Sequence, residues 1–164
     1  MKKLLLIQPS PYEKDGKVIK KKKLYFTGLA LPLLAALTPD GWETELIYEV
    51  IEDVPFDTDA DLIGVSTMGH GVIRSIDIAK EYRRRGKSVI LGGYMASIMP
   101  EEAVKYCDSL IIGDAELVWQ QMLSDFENGN LKKTYEKPLE GNWYSTPSPR
   151  FDLLEGKNLG DFLP

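Results

Sequence analysis

Residues 61–116 contain three apolar runs that each stop at small residues: Asp61-Leu62-Ile63-Gly64-Val65-Ser66-Thr67-Met68-Gly69-His70-Gly71, Val89-Ile90-Leu91-Gly92-Gly93 and Leu110-Ile111-Ile112-Gly113-Asp114. Continuous apolar runs of this length are typical of parallel strands covered on both faces. Small residues just past the carboxyl ends of neighbouring strands leave a floor that a large flat ligand can approach closely. The stretch therefore predicts a binding face at one edge of a sheet.

Strand-length runs alternate with segments of helical period along the chain, as expected of βαβ units. The pattern predicts strands at 3–8, 44–50, 62–66, 88–91 and 109–112, and helices at 28–37, 72–85, 100–106 and 114–126. Thr27 is predicted to cap the first helix. We expect an α/β fold of three layers, Rossmann-like and flavodoxin-like, with a doubly wound parallel sheet in the order 2-1-3-4-5.

Composition excludes several classes of protein. A net charge of −5 and a pI near 5.0 argue against a general nucleic-acid binder, whose surface must be basic. The single cysteine, Cys107, rules out an internal disulfide and cannot hold a zinc ion or an iron–sulfur cluster alone. The apolar run near the start stops at Gln8-Pro9, too early for a membrane span. We expect a cytoplasmic protein with neither a nucleic-acid nor a membrane partner.

Two regions interrupt the alternation. Residues 10–23 form a long charged connection with a turn signal at Asp15-Gly16, and its lysines are either a solvated loop or a phosphate or partner contact. From residue 137 onward the chain is rich in proline, glycine and serine, a composition typical of linkers. We therefore predict one domain over 1–136 and a linker or extension over 137–164.

Residues that carry chemistry are scarce. His70 and Cys107 are the only residues of their types, no serine lies in a nucleophile elbow, and no catalytic residue or metal ligand is assigned. Phosphate-binding signatures are absent, and Gly69-His70-Gly71 is only a fragment of a dinucleotide fingerprint. The loop after the first strand, Pro9-Ser10-Pro11-Tyr12, lacks both the hydroxyl-rich pattern of a flavin site and the paired acids of a response regulator. The sequence indicates binding rather than catalysis by this chain.

The strand ends resemble a known family. Ser66-Thr67-Met68 followed by Gly92-Gly93 is similar to the paired signature of cobalamin-binding domains. More specifically, the chain resembles the amino-terminal domain of B12-binding radical SAM enzymes over residues 91–103 and 107–116. The shared features are a double glycine, a Pro-Glu-Glu helix start and a Gly-x-Gly-Glu-like turn. In that turn, Ala115 replaces the second glycine. The resemblance covers nearly the whole chain: it extends backward through residues 28–37 and forward to Pro149-Arg150-Phe151-Asp152-Leu153-Leu154. It implies a cobalamin-binding-domain type of fold.

The resemblance also implies roles for individual residues. Ser66, Met68 and Gly69 would line the wall beside the nucleotide tail of a corrinoid, Gly92 and Gly93 would let the backbone approach its base, and Gly113, Asp114 and Glu116 would close the other side. Thr67, His70 and Tyr94 complete the implied cofactor-binding set. The Asp-x-His-x-x-Gly motif that supplies a lower cobalt ligand is absent after the first strand. His70 lies in another loop of the same edge, where it would contact cobalt, hydrogen-bond the ligand or pack in the loop.

A radical SAM relative implies a second domain. The three-cysteine motif of radical SAM proteins is absent here. The resemblance therefore implies that a [4Fe-4S] cluster and S-adenosylmethionine would lie in a carboxyl-terminal radical SAM domain of the parent protein. The corrinoid would carry a methyl group between S-adenosylmethionine and the substrate. Two alternatives remain open. The chain is a non-catalytic α/β module for protein docking or nucleotide binding without a corrinoid, or it is complete at residue 164 and delivers corrinoid to a separate enzyme.

Overall fold

A computed structural model describes residues 1–136 and 146–160. Within these ranges it forms one six-stranded sheet in the order β2-β1-β3-β4-β5-β6, and every pair of neighbouring strands is parallel. The predicted α/β fold and the order of the first five strands are confirmed. The strands are β1 Lys2–Gln8, β2 Trp42–Tyr48, β3 Leu62–Ser66, β4 Ser88–Gly92, β5 Ser109–Ile112 and β6 Thr134–Glu136.

Two strand predictions need correction. β2 lies two residues earlier than predicted because its seven residues pair with all of β1, and the chain turns after Tyr48, whose carbonyl accepts from the N–H groups of Ile51 and Glu52. β6 was not predicted. Only its middle residue, Tyr135, is buried, so this short edge strand has no apolar run that distinguishes it from a loop.

In the described part of the chain, five α-helices connect the strands: α1 Ala30–Leu37, α2 Val72–Arg84, α3 Tyr94–Ile98, α4 Pro100–Ala103 and α5 Trp119–Glu127. α1 begins two residues later than predicted because Gly28 adopts a left-handed φ of 64°, and Thr27 is not its cap. The predicted helix 100–106 is α4 followed by a 3₁₀ turn, and the predicted helix 114–126 is a 3₁₀ turn followed by α5. The short α3 was not predicted.

The core has two layers, one on each face of the sheet. Leu4 and Leu6 of β1 face α1 and α5, while Leu5 and Ile7 face α2. Trp119 of α5 and Tyr82 of α2 are fully buried on opposite faces of the sheet. The three-layer arrangement follows, and it places the connections after β1, β3, β4 and β5 at one edge of the sheet.

Residues 146–160 pack against the α1 side of the sheet. The Arg150 N–H donates to the Pro32 carbonyl at 2.9 Å, Leu154 is buried, and the Leu24 N–H and carbonyl bond to Asn158 and Gly160. A domain boundary at 136 stays a prediction. The aromatic pair Trp143-Tyr144 in the linker also suggests a docking contact, but both residues lie outside the described ones. In 1–136 and 146–160, no helix has the length and hydropathy needed to cross a bilayer.

Candidate functional site

A cavity of about 220 Å³ lies between the sheet and helices α1 and α5. We call it the slot. It extends from the middle of the sheet to the carboxyl ends of β3, β4 and β5, where the predicted binding face was expected. Its walls are formed by residues of four strands, of the segments after β4 and β5, and of the two helices: Leu6, Ala30, Leu31, Leu33, Leu34, Gly64, Val65, Ser66, Ile90, Gly92, Gly93, Ile111, Gly113, Asp114, Ala115, Glu116 and Trp119.

Two glycines inside the strands create the space. Side chains alternate between the faces of a sheet, and the register places Gly64 between Leu6 and Ile90 on the slot face. An added Cβ at Gly64 would lie 2.6 Å from Leu6 Cδ2, so no larger residue fits without displacing that side chain. Gly92, two residues after Ile90 and nearer the carboxyl edge of the sheet, pairs with Ser66. A Cβ added at Gly92 would lie 3.8 Å from Ile111 Cβ. Glycine inside a strand marks a close approach, at Gly64 to the side chain of Leu6.

A hydrogen-bonded junction holds the tips of β3 and β4 together. The Thr67 N–H and hydroxyl both donate to the Gly92 carbonyl, at 2.7 and 2.8 Å, and the Thr67 carbonyl accepts from Met95 N–H at 3.2 Å. Gly93 has a φ of 96°, and an added Cβ would lie 3.2 Å from both the N and O atoms of Thr67. Glycine is required at 93 by conformation as well as by space.

Polar groups are confined to the mouth of the slot. No hydrogen bond within the described ranges engages the Ser66 hydroxyl, which leaves it able to donate to or accept from a ligand. Asp114 and Glu116 contribute to the opposite wall, and Gly113 N–H is held by Ser97 Oγ at 2.9 Å. Deeper in, the walls are apolar, and the indole N–H of Trp119 already donates to Thr38 Oγ1 at 3.0 Å.

Six of the eleven predicted cofactor-binding residues form the slot wall: Ser66, Gly92, Gly93, Gly113, Asp114 and Glu116. Thr67 is fully buried beneath the wall, in the junction described above. The others, Met68, Gly69, His70 and Tyr94, are exposed in the connections after β3 and β4 and do not line the slot. Whether any of the eleven contacts a ligand stays a prediction.

Several wall residues were missed. Gly64 lies inside an apolar run, and an isolated glycine in a strand pattern was the one available signal for it. The helix residues Ala30, Leu31 and Trp119 carried no such signal, because an apolar helix face is needed for packing in any case.

Large apolar side chains surround the carboxyl edge of the sheet. We call this group the apolar rim. Its members follow β1, β3 or β4, and each is at least 55% exposed: Tyr25, Phe26, Leu29, Met68, Ile73, Tyr94, Ile98 and Met99. A concentration of exposed apolar residues at one edge marks an interaction surface. The slot therefore opens within an edge that is itself suited to an apolar ligand or partner.

The loop after β1 is anchored by a buried ion pair. Glu49 is 2% exposed and accepts from the Ser10 N–H at 3.0 Å and from two nitrogens of Arg74 at 2.6 and 2.9 Å. Arg74 also donates to the Tyr12 hydroxyl, which donates in turn to Asp77 at 2.7 Å. Burial and the bond to Asp77 raise the pKa of Tyr12. The network fixes the position of a loop that contains no histidine.

The described residues offer little for covalent or metal chemistry. Cys107 is fully buried, and burial raises the pKa of its thiol to about 11, so the reactive thiolate is scarce at neutral pH. In the described ranges, no group of three or more histidine, cysteine, aspartate or glutamate residues is placed to hold a metal ion. The geometry supports binding of a ligand with one narrow, largely apolar arm.

The chain has an α/β Rossmann-like fold, and its homologues are methyltransferases. The chain is 38% identical over 109 residues (66% of this chain, 24% of the relative) to bacteriochlorophyllide d C-8(2)-methyltransferase of Chlorobaculum tepidum. It is 28% identical over 151 residues (88% and 27%) to an uncharacterized methyltransferase of Synechocystis. It is 25% identical over 137 residues (82% and 29%) to bacteriochlorophyllide d C-12(1)-methyltransferase of Chlorobaculum tepidum.

The chain thus spans about a quarter of the length of these relatives. No protein-family model matches it. Among solved structures, the N-terminal domain of a hypothetical protein from Thermotoga maritima matches with a TM-score of 0.39 and 23% identity over 51% of this chain and 64% of that chain, a likeness too low to bear on function.

Proposed function

We propose that this chain is the cobalamin-binding domain of a radical SAM methyltransferase. It holds a corrinoid by its nucleotide tail, without a histidine ligand from the loop after β1. Methyl transfer from S-adenosylmethionine is carried out with a separate catalytic domain that contains the [4Fe-4S] cluster. The slot carries the proposal, because its walls combine Ser66, Gly92-Gly93 and Gly113 at three adjoining strand ends.

The dimensions of the slot fit part of a corrinoid rather than the whole. Pockets that enclose a drug-sized ligand measure roughly 300–1,000 Å³, so about 220 Å³ suits a bicyclic arm and excludes a macrocycle. The apolar rim offers a surface on which the face of a large ring can lie. At Gly92 the atom nearest to an added Cβ, on Ile111, lies only at ordinary contact distance, so the slot keeps space there. A ligand with one arm in the slot and a large ring on the apolar rim has the shape of a corrinoid.

The residues of the chain bind and orient the ligand. Gly92 and Gly93 permit close approach to backbone, and the Thr67 junction keeps the two strand tips at a fixed separation. Ser66 offers a hydroxyl that no hydrogen bond engages among residues 1–136 and 146–160. Bound cobalamin would supply a carrier for the methyl group. The relatives named as methyltransferases support this chemistry, since a methyl carrier is useful only beside a domain that performs the transfer.

The mode of binding has a consequence for cobalt. With its base held in the slot beside Ser66, Gly92 and Gly93, a bound corrinoid would receive no cobalt ligand from that base. Gln8-Pro9-Ser10-Pro11-Tyr12 contains no histidine to replace it, and His70 is exposed at the edge, outside the slot wall. The proposal therefore predicts a bound corrinoid whose base has dissociated from cobalt, a state with its own visible spectrum.

Binding of hydroxocobalamin tests the proposal. The protein, mixed with the vitamin and desalted, is expected to retain about one equivalent with the spectrum of a base-dissociated corrinoid. Gly92→Phe places a large side chain in the slot and is expected to abolish retention. Thr134→Phe adds the same side chain at an exposed position of the edge strand β6 and serves as the matched control. No retention by the unmodified protein at micromolar concentration contradicts the proposal and favours a docking or nucleotide-binding module.

A further inference from the structure

The deep part of the slot is lined almost entirely by apolar side chains. The side chains of Leu6, Leu31, Ile90, Ile111 and Trp119 surround it, and the single polar atom among them, the Trp119 indole nitrogen, is already bonded to Thr38. We propose that the slot selects corrinoids by their lower base. It accepts an apolar bicyclic base such as 5,6-dimethylbenzimidazole and discriminates against a purine such as adenine. This inference rests on the proposed function.

Unpaired hydrogen-bonding groups supply the discrimination. Dimethylbenzimidazole ends in two methyl groups, whereas adenine presents an amino group and ring nitrogens along the corresponding edge. A polar group that leaves water without finding a partner carries its full desolvation cost, roughly tenfold or more in affinity per group. The methyl groups, by contrast, gain from contact with Leu6, Ile90 and Ile111.

A buried polar group beside the deep part of the slot, Ser109, also bears on this selection. It lies on the slot face of β5, beside Ile90, and its hydroxyl is one of two buried side-chain polar atoms without a partner in the described part of the chain. The hydroxyl is not part of the slot wall, because Ser109 lies one residue pair deeper than Ile111 and is fully covered. A purine therefore does not reach it unless the wall rearranges.

Partly buried positions on α1 provide a test that leaves the fully buried core residues unchanged. Leu34 lines the slot, whereas Leu37, one helical turn later, packs against the same core cluster but lies outside the slot wall. Leu34→Gln places an amide, which both donates and accepts, beside the inserted base. Leu37→Gln introduces the same change outside the slot and is the matched control.

Equilibrium dialysis with three corrinoids measures the selection. Cobalamin and its adenine-containing analogue differ only in the base, and cobinamide lacks the nucleotide arm and reports binding to the apolar rim alone. We expect the Kd of the adenine analogue to exceed that of cobalamin at least about tenfold. Leu34→Gln should reduce this ratio severalfold, and Leu37→Gln should leave it within about twofold.

The outcomes separate the two proposals. Equal or tighter binding of the adenine analogue, with cobalamin still retained, overturns the inference and leaves the proposed function standing. Failure of all three corrinoids to bind contradicts the proposed function itself. Ser109→Ala checks the route through the buried hydroxyl: an unchanged ratio supports the inference, and a ratio that rises because the adenine analogue alone weakens shows that Ser109 pairs with the purine and contradicts it.

Discussion

Replacement of two adjacent glycines by alanine should have unequal consequences for stability. Gly93 has φ 96° and ψ −156°, a region that side chains other than glycine's enter at a cost of about 1–3 kcal/mol. The new Cβ would also lie 3.2 Å from the backbone N and O of Thr67, atoms that cannot rotate away. Crowding of this kind costs about 1 kcal/mol or more. We expect Gly93→Ala to lower the free energy of unfolding by about 2–4 kcal/mol.

Gly92→Ala is the internal control. Gly92 has no positive φ, and the nearest atom to its added Cβ, on Ile111, is at ordinary contact distance. Its effect should stay within about 1 kcal/mol, partly offset by the reduced entropy of the unfolded chain. Urea unfolding followed by far-ultraviolet circular dichroism measures both variants, and the midpoint of Gly93→Ala should fall by on the order of 1 M at unchanged slope. Equal midpoints for the two variants would refute the proposed strand-tip geometry.

Three further predictions concern the surroundings of the slot. Thr67→Val removes the hydrogen bonds of the hydroxyl to Gly92 and Ala96 and should lower the free energy of unfolding by about 1–2 kcal/mol. The loss should appear as a lower urea midpoint. An unchanged midpoint would mean that the Thr67 junction does not hold the strand tips together. Arg74→Met leaves Glu49 buried without its ion-pair partner and should lower the free energy of unfolding by about 3–5 kcal/mol. Arg84→Met, at the exposed pair with Glu81, should lower it by less than about 1 kcal/mol. Thermal unfolding compares the two variants, and similar losses of stability would contradict the buried position of the Arg74–Glu49 pair. Cys107, with its pKa raised by burial to about 11, should react with a thiol reagent at pH 8 only slowly in the native protein and rapidly in denaturant, and rapid native labelling would contradict its burial.

The sheet was predictable because its central strands are buried on both faces. Residues 62–66 and 109–112 appear in the structure with the predicted bounds, since a continuous apolar run leaves little choice of register. β6 and α3 were not predictable in the same way. β6 is held by pairing with β5, and α3 follows from the left-handed φ at Gly93 and the bonds to Thr67, contacts that exist only once the sheet has formed.

The site was predictable at the strand tips and not in its depth. Ser66, Gly92 and Gly113 end apolar runs, and parallel strands bring such ends to one edge. The slot itself depends on which residues share a face. Gly64 opens it only because the register places Leu6 and Ile90 beside it, and Trp119 closes it from a helix whose position the sequence pattern does not specify. The exposure of Met68, Gly69, His70 and Tyr94 likewise depends on how the two connections fold.

A crystal structure of the protein grown with hydroxocobalamin would test the central proposal most directly. We expect density for the dimethylbenzimidazole ring between the sheet and α1, in contact with Gly64, Ile90 and Gly92, with the corrin ring over the apolar rim. A corrinoid that still coordinates its own base and lies outside the slot, or a slot that stays empty of ligand at saturating vitamin, would contradict the proposal.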